Sequence, residues 1–237
     1  MRNLLLCFLT VLISCETKLT AEEVVQNAIE NAHGGKVAWE TIKEISYEKT
    51  TVFYDVNGNQ EQVKKQIIHT VLQPKFTSSI TWKDKDVEKH IVYNGNETTV
   101  FYDSVLQTEP TIIQNAYKDI MGAHFVFWQP YKLLTDTATV TFERKVRLED
   151  GTDAYMIKAT YPESDAVWWF YFDIHTGLFK ENLVKHGKTF SHIKNIQYEN
   201  ETGLKLHKER KSFLINEMND QKYLRAHYHY RILSVKR

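Results

Sequence analysis

The sequence predicts a mainly β chain of the α+β class: one long antiparallel meander with a helix before it and one helical segment inserted in it. Two observations lead there. From Ile45 onward the chain is rich in Thr, Val, Ile, Tyr and Phe and is cut at short intervals by Asn57-Gly58, Asn94-Gly95, Asp150-Gly151, Thr176-Gly177, His186-Gly187 and Thr202-Gly203, the spacing of hairpin turns. Helical periodicity is confined to the start and to one interior stretch. Four prolines and nine glycines, thinly spread, mark no linker, and a chain of this length suits one undivided β domain.

The elements follow in order. Residues 1–14 read as a secretory signal, with Arg2 ahead of an apolar run from Leu4 to Ile13 that falls well short of the roughly 20 residues a membrane-spanning helix needs. The run ends Leu12-Ile13-Ser14-Cys15, which resembles the bacterial lipobox. That resemblance implies cleavage before Cys15 and lipidation of its thiol, with residues 15–19 as lipidated cysteine and short tether. The other reading is an ordinary signal cut near a chance cysteine. Cys7 is the only other cysteine and lies inside the signal, so no disulfide framework exists. One acyl chain holds a protein to a bilayer only marginally and two or more hold it stably.

Thr20 and Glu23 make a capping box, Val24, Val25, Ala28, Ile29 and Ala32 share a helix face, and Gly34-Gly35 ends the helix. A short turn carries Val37, Trp39 and Ile42. Strands are expected at 45–55, 62–72, 76–83, 88–93, 97–103, 138–148, 153–161, 166–174, 178–186, 189–199, 204–215 and 221–236. Between them, in Pro110 to Leu134, the residues Ile112, Ile113, Ala116, Tyr117, Ile120 and Met121 recur at helical spacing and predict a helix that covers or plugs the sheet.

Alternation assigns faces. Val140, Phe142, Val146 and Leu148 share one face, which places Arg144 among them, and Tyr155, Ile157, Ala159 and Tyr161 share another. The stretch AVWWFYFDI, residues 166–174, is apolar on both faces: Trp168, Phe170 and Phe172 oppose Val167, Trp169 and Tyr171. A strand apolar on both sides is expected at the sheet centre, covered on both.

The order of these parts, with WWFYFDIHTGLFKENLV followed by FSHIKNIQYENETGLKLHKERKSF and a last strand ending RILSVKR, resembles the LolA/LolB-like lipoprotein-carrier superfamily. The matching residues are Phe172-Asp173-Ile174-His175-Thr176-Gly177-Leu178 and Glu201-Thr202-Gly203-Leu204-Lys205-Leu206. The resemblance implies a single LolA-like domain over 20–237. Its sheet would be curved and unclosed, a half-barrel of about 11 to 12 strands, with helices lodged in the concave side around a cavity for acyl chains. It also implies an exported protein anchored at the outer membrane, facing the periplasm or the cell surface.

The chemistry expected of such a chain is binding without catalysis. Thirteen per cent of the residues are aromatic, which suits an apolar interior, and Trp168, Phe170, Phe172, Phe142, Tyr228 and Tyr230 are candidate ligand contacts, although core packing alone explains such clusters. Arg144, set among apolar residues, needs an acceptor such as a lipid headgroup, or else reaches water at a sheet edge. His227 and His229 share a strand face at a spacing that can serve a metal. Arg225 and Arg231 lie on the same face, however, so no metal is expected. There is no nucleophile elbow, no His-Glu-x-x-His and no phosphate loop, and no cofactor is expected.

Loss of the leader removes only Arg2, leaving 29 Lys and Arg against 30 Asp and Glu, a net charge of −1, which argues against nucleic acid. The expected partners are a lipid, the acyl chains of a lipoprotein, and the membrane through Cys15. A protein-interaction module with a self-packed interior, docking an envelope partner, is the alternative. A hydrolase with dispersed residues is a more distant one.

Overall fold

The computed structural model describes residues 19–162, 164–216 and 221–237. The expected signal peptide and Cys15 lie outside the described residues. The chain order is α1 (Ala21–Ala32), α2 (Lys36–Glu40), β1 (Glu44–Tyr54), β2 (Gln60–Val71), β3 (Thr77–Asp84), β4 (Val87–Tyr93), β5 (Thr98–Tyr102), β6 (Val105–Gln107), α3 (Pro110–Phe127), α4 (Lys132–Thr135), β7 (Thr139–Arg147), β8 (Asp153–Thr160), β9 (Val167–Asp173), β10 (Phe179–His186), β11 (Thr189–Tyr198), β12 (His207–Asn216) and β13 (Gln221–Lys236). The thirteen strands form one curved, unclosed antiparallel sheet in the order β6-β5-β4-β3-β2-β1-β13-β12-β11-β10-β9-β8-β7.

The first and last long strands, β1 and β13, pair and join two meanders into one sheet. The chain leaves the first meander at edge strand β6 and enters the second at the opposite edge, β7. The segment that makes this passage is α3 and α4, so the inserted helix lies along the concavity. Period-2 alternation then fills the concave side from both halves. Val100, Ile91, Ile80, Ile68 and Tyr47 form one in-register row of buried residues across β5 to β1, and Ala116, Ile120 and Phe127 of α3 pack on this half. Phe142, Ile157 and Phe170 align across β7 to β9 under Val24, Val25 and Ala28 of α1.

Helix α1 begins as its sequence dictates: Glu23 N–H donates to Thr20 Oγ1 (3.2 Å) and Thr20 N–H to Glu23 Oε2 (2.8 Å). It ends at Gly34, whose φ of +87° and approach to Gly203 leave no room for a side chain. A Cβ there would lie 2.3 Å from the Gly203 carbonyl oxygen. This contact ties α1 to the β11–β12 connection.

Three expectations change. The strand expected at 204–215 begins at His207, because Glu199 captures the N–H groups of Glu201 and Thr202 (2.8 and 3.0 Å) and holds the preceding segment as a turn with Leu204 and Leu206 buried. Strand β9 is third from the β7 edge, while β13 takes the middle of the order. Its Trp168, Phe170 and Phe172 face α1 and α3, while Val167, Trp169 and Tyr171 are only half-buried, screened by neighbours such as Phe190 beside Trp169. The third change concerns Arg144. A bulge between Phe142 and Arg144 sets Arg144 opposite Met156, so Arg144 is exposed on the convex face and Lys145 takes the concave side over Tyr155. A bulge inserts one residue and flips the alternation beyond it, and Val146 crosses with it to face Ala154.

Candidate functional site: two clefts beside the inserted helix

Two clefts flank the C-terminal half of α3, and Gly122 lines both. The first, about 370 Å³, is walled by Met121 and Phe125 of α3, Tyr161, Ala166 and Trp168, with His124, Lys132, Asp136, Ser164 and His186 around it. Phe125 stands edge-on to both Trp168 (5.2 Å between centroids) and Tyr161 (5.5 Å). The Tyr161 hydroxyl is buried with no hydrogen-bond partner among the described residues, and burial raises its pKa. Burial, aided by the Lys132 charge, depresses the His124 pKa to about 3, so the imidazole is neutral at physiological pH.

The second cleft, about 320 Å³, lies between α3 and strands β1, β2, β3 and β13. Its apolar surface comes from Phe53, Ile68, Ile80, Ala123, Val126 and Tyr228; Thr51 and Gln66 add polar groups; and Lys49, Lys64, Lys118 and Asp119 supply charge. Lys49 Nζ sits 5.1 Å from the centre of the Tyr228 ring and Lys64 Nζ 4.3 Å from that of Trp82. Burial lowers the pKa of both lysines. Both volumes fall at the small end of the range typical of ligand sites, about 300–1,000 Å³.

Behind the second cleft, Arg210 is 1 % exposed. Its Nη2 donates to Asn182 Oδ1 (2.7 Å) and its Nε has no partner among the described residues. Burial lowers its pKa, and the hydroxyl of Tyr230 is a hydrogen-bond neighbour that opposes this. No carboxylate among the described residues pairs with it.

The candidates from the sequence distribute as follows. Trp168 lines the first cleft and Tyr228 the second. Phe170 and Phe172 are essentially fully buried beneath α1. Phe142 packs at the edge of that same cluster, and Tyr230 is buried against Phe127 and Tyr47. Arg144 is on the opposite face of the sheet. Gly122, Lys49, Lys64 and Lys118 escaped sequence reasoning, yet Lys49 carried a signal: it alternates with Ile45, Tyr47, Thr51 and Phe53 on one face of β1.

His227 and His229 meet a third group. His227 Nε2 lies 2.7 Å from Glu209 Oε1, and ligand atoms of Glu209, His227 and His229 fall within 4.8 Å of one another. The neighbouring arginines are neutralised rather than ranged beside them: Arg225 binds Glu61 and the Tyr54 carbonyl, and Arg231 pairs with Glu48 at 3.2 Å.

No protein-family model matches the chain, and no curated protein matches it. Solved structures do. A LolA superfamily protein from Nitrosomonas europaea superimposes with a TM-score of 0.53 at 10 % identity, over 90 % of this chain and 92 % of its own. A DUF1329 family protein from Desulfovibrio piger gives a TM-score of 0.54 at 9 % identity, over 89 % and 91 %. The fold is LolA-like across nearly the whole chain. Among the described residues no helix is long and apolar enough to cross a membrane.

Proposed function

We propose that this is a lipid-anchored protein of the cell envelope, tethered through Cys15, that holds an acyl chain of a lipid or lipidated protein in the concavity beside α3 and does no chemistry on it. The observation that carries the reading is the pair of clefts that share Gly122, where Phe53, Met121, Phe125, Val126 and Trp168 keep part of their apolar surface exposed beside α3. Transfer of alkyl groups onto such surface is favourable by roughly 25 cal/mol per Å². The likeness to a LolA superfamily structure agrees with a role as carrier, receptor or sensor.

The polar groups around the first cleft support binding rather than catalysis. Asp136 is held by Lys132 at 2.6 Å, and Ser164 Oγ accepts the Ala166 N–H at 3.1 Å.

The test is native mass spectrometry with lipid extraction on the exported Cys15→Ser chain. About one acyl species per chain, or uptake of added fatty acid, is expected. A clean unliganded mass that ignores added lipid refutes the reading and leaves a surface-docking module tethered to the membrane.

A further inference from the structure

The second cleft carries more positive charge than a surface built only for alkyl chains requires. Three lysines and one carboxylate line it. Lys49, Lys64 and Lys118 form no ion pair among the described residues, whereas Lys65, one residue from Lys64 but on the other sheet face, pairs with Glu48 at 3.2 Å. Lys49 and Lys64 rest instead on the faces of Tyr228 and Trp82, an interaction that leaves their charge unneutralised.

Asp119 attracts both lysines from the helix side without closing a bridge to either. Arg210 adds a buried guanidinium behind Tyr228 and bears on Lys49 as a like charge. Holding Lys49 and Lys64 partly buried without an ion pair is costly unless something neutralises them, and a low-dielectric cleft focuses their combined field on its contents.

Resting on the acyl-binding reading above, we infer that the second cleft takes an anionic amphiphile: a carboxylate or phosphate on an alkyl chain, its anion between Lys49, Lys64 and Lys118 and its chain on the half-buried Phe53, Ala123 and Val126. The half-buried Gln66 offers hydrogen bonds to the oxygens that the lysines leave free. Charge-assisted hydrogen bonds of this kind are about twice as strong as neutral ones, so the head group ranks ligands and the tail anchors them.

The experiment measures affinities of the Cys15→Ser chain for hexadecanoate, hexadecyl phosphate, hexadecanol and inorganic phosphate. Both anionic amphiphiles are expected to bind about tenfold or more tightly than the alcohol, with an advantage that shrinks as salt is raised. Inorganic phosphate should not bind. Lys49→Met and Lys64→Met should bring the anions down toward the alcohol and leave the alcohol unchanged; Lys64→Arg should keep the preference. Equal affinity for acid and alcohol overturns the inference while the acyl-binding reading stands. Failure of all three amphiphiles overturns both. Binding of inorganic phosphate as tightly as hexadecyl phosphate shows an anion site with no use for the chain, and overturns the amphiphile assignment.

Discussion

Gly122 offers a way to fill the proposed site without touching the core. It is exposed within α3, it lines both clefts, and a Cβ built on it meets nothing within 4 Å. In a helix interior glycine is about 1 kcal/mol worse than alanine, and leucine is close to alanine. Gly122→Ala and Gly122→Leu should therefore each stabilise the fold by roughly 0.8 kcal/mol, raising Tm by about 2–3 °C for a chain of this size.

Their effects on binding should differ. A helical side chain leans toward the preceding turn, which here is Lys118 and Asp119, so the isobutyl group of the Gly122→Leu variant would project into the lysine-lined cleft. Each methylene displaced from the ligand forfeits about 0.8 kcal/mol. One carbon in the alanine variant should cost about fourfold in Kd, and four carbons in the leucine variant about 3 kcal/mol, or a hundredfold and more. Displacement of a fluorescent fatty acid, read beside thermal melts of the same samples, separates the two quantities. If the leucine variant melts higher and still binds as tightly as the parent, the ligand does not lie beside α3.

Other consequences can be checked in the same preparation. Across a series of fatty acids from eight carbons upward, affinity should rise about fourfold per methylene until the clefts are full; a flat series would mean that the tail is not buried. Phe170→Ala should cost about 3–5 kcal/mol in denaturant unfolding, since that ring is fully buried under α1; a loss below 1 kcal/mol would show that α1 does not pack there. His33, with no exposed surface, accepts the Phe179 N–H at Nε2 (3.0 Å), and burial lowers its pKa to about 4. The unfolded chain takes up this proton near pH 6.5 and the folded chain only near 4. Stability is therefore complete above pH 6.5 and falls as pH drops through that value, by about 2 kcal/mol at pH 5 for this group. The pH dependence of unfolding should shrink in His33→Gln.

What the sequence disclosed was decided by periodicity and turn chemistry. Apart from the start of β12 and the three-residue β6, the strands lie within a few residues of the expected ranges, because Asn-Gly, Asp-Gly and Thr-Gly pairs punctuate the meander and β-branched residues fill it. Strand β6 was illegible because three residues, Val105 to Gln107, show no period. The order of strands was not legible either: alternation says which residues share a face but not which strands are neighbours. Strand β9 shows why two apolar faces do not require a central position, since cross-strand neighbours can half-cover a convex face that no second layer packs on.

The site was harder to read for a reason that Arg144 and Lys49 illustrate together. Both are cations spaced evenly among apolar residues, Arg144 between Phe142 and Val146 and Lys49 between Tyr47 and Thr51, and by alternation both should face the interior. One does. Strand β1 keeps its register with β2 from Glu44 through Phe53, so Lys49 stays on the concave side, while β7 carries a bulge just ahead of Arg144 that turns it outward. A bulge adds a residue without changing composition, and nothing in the side-chain pattern of 139–147 announces it. The cations that meet on this cleft wall, Lys49 and Lys64, come from the paired strands β1 and β2, with Arg210 behind them on β12, beyond β13. Their convergence on one cleft wall is a property of register. A change that shifted β1 against β2 by one residue would expose all of the concave set and should abolish both the fold and the anion preference together, whereas neutralising Lys49 alone should abolish only the preference.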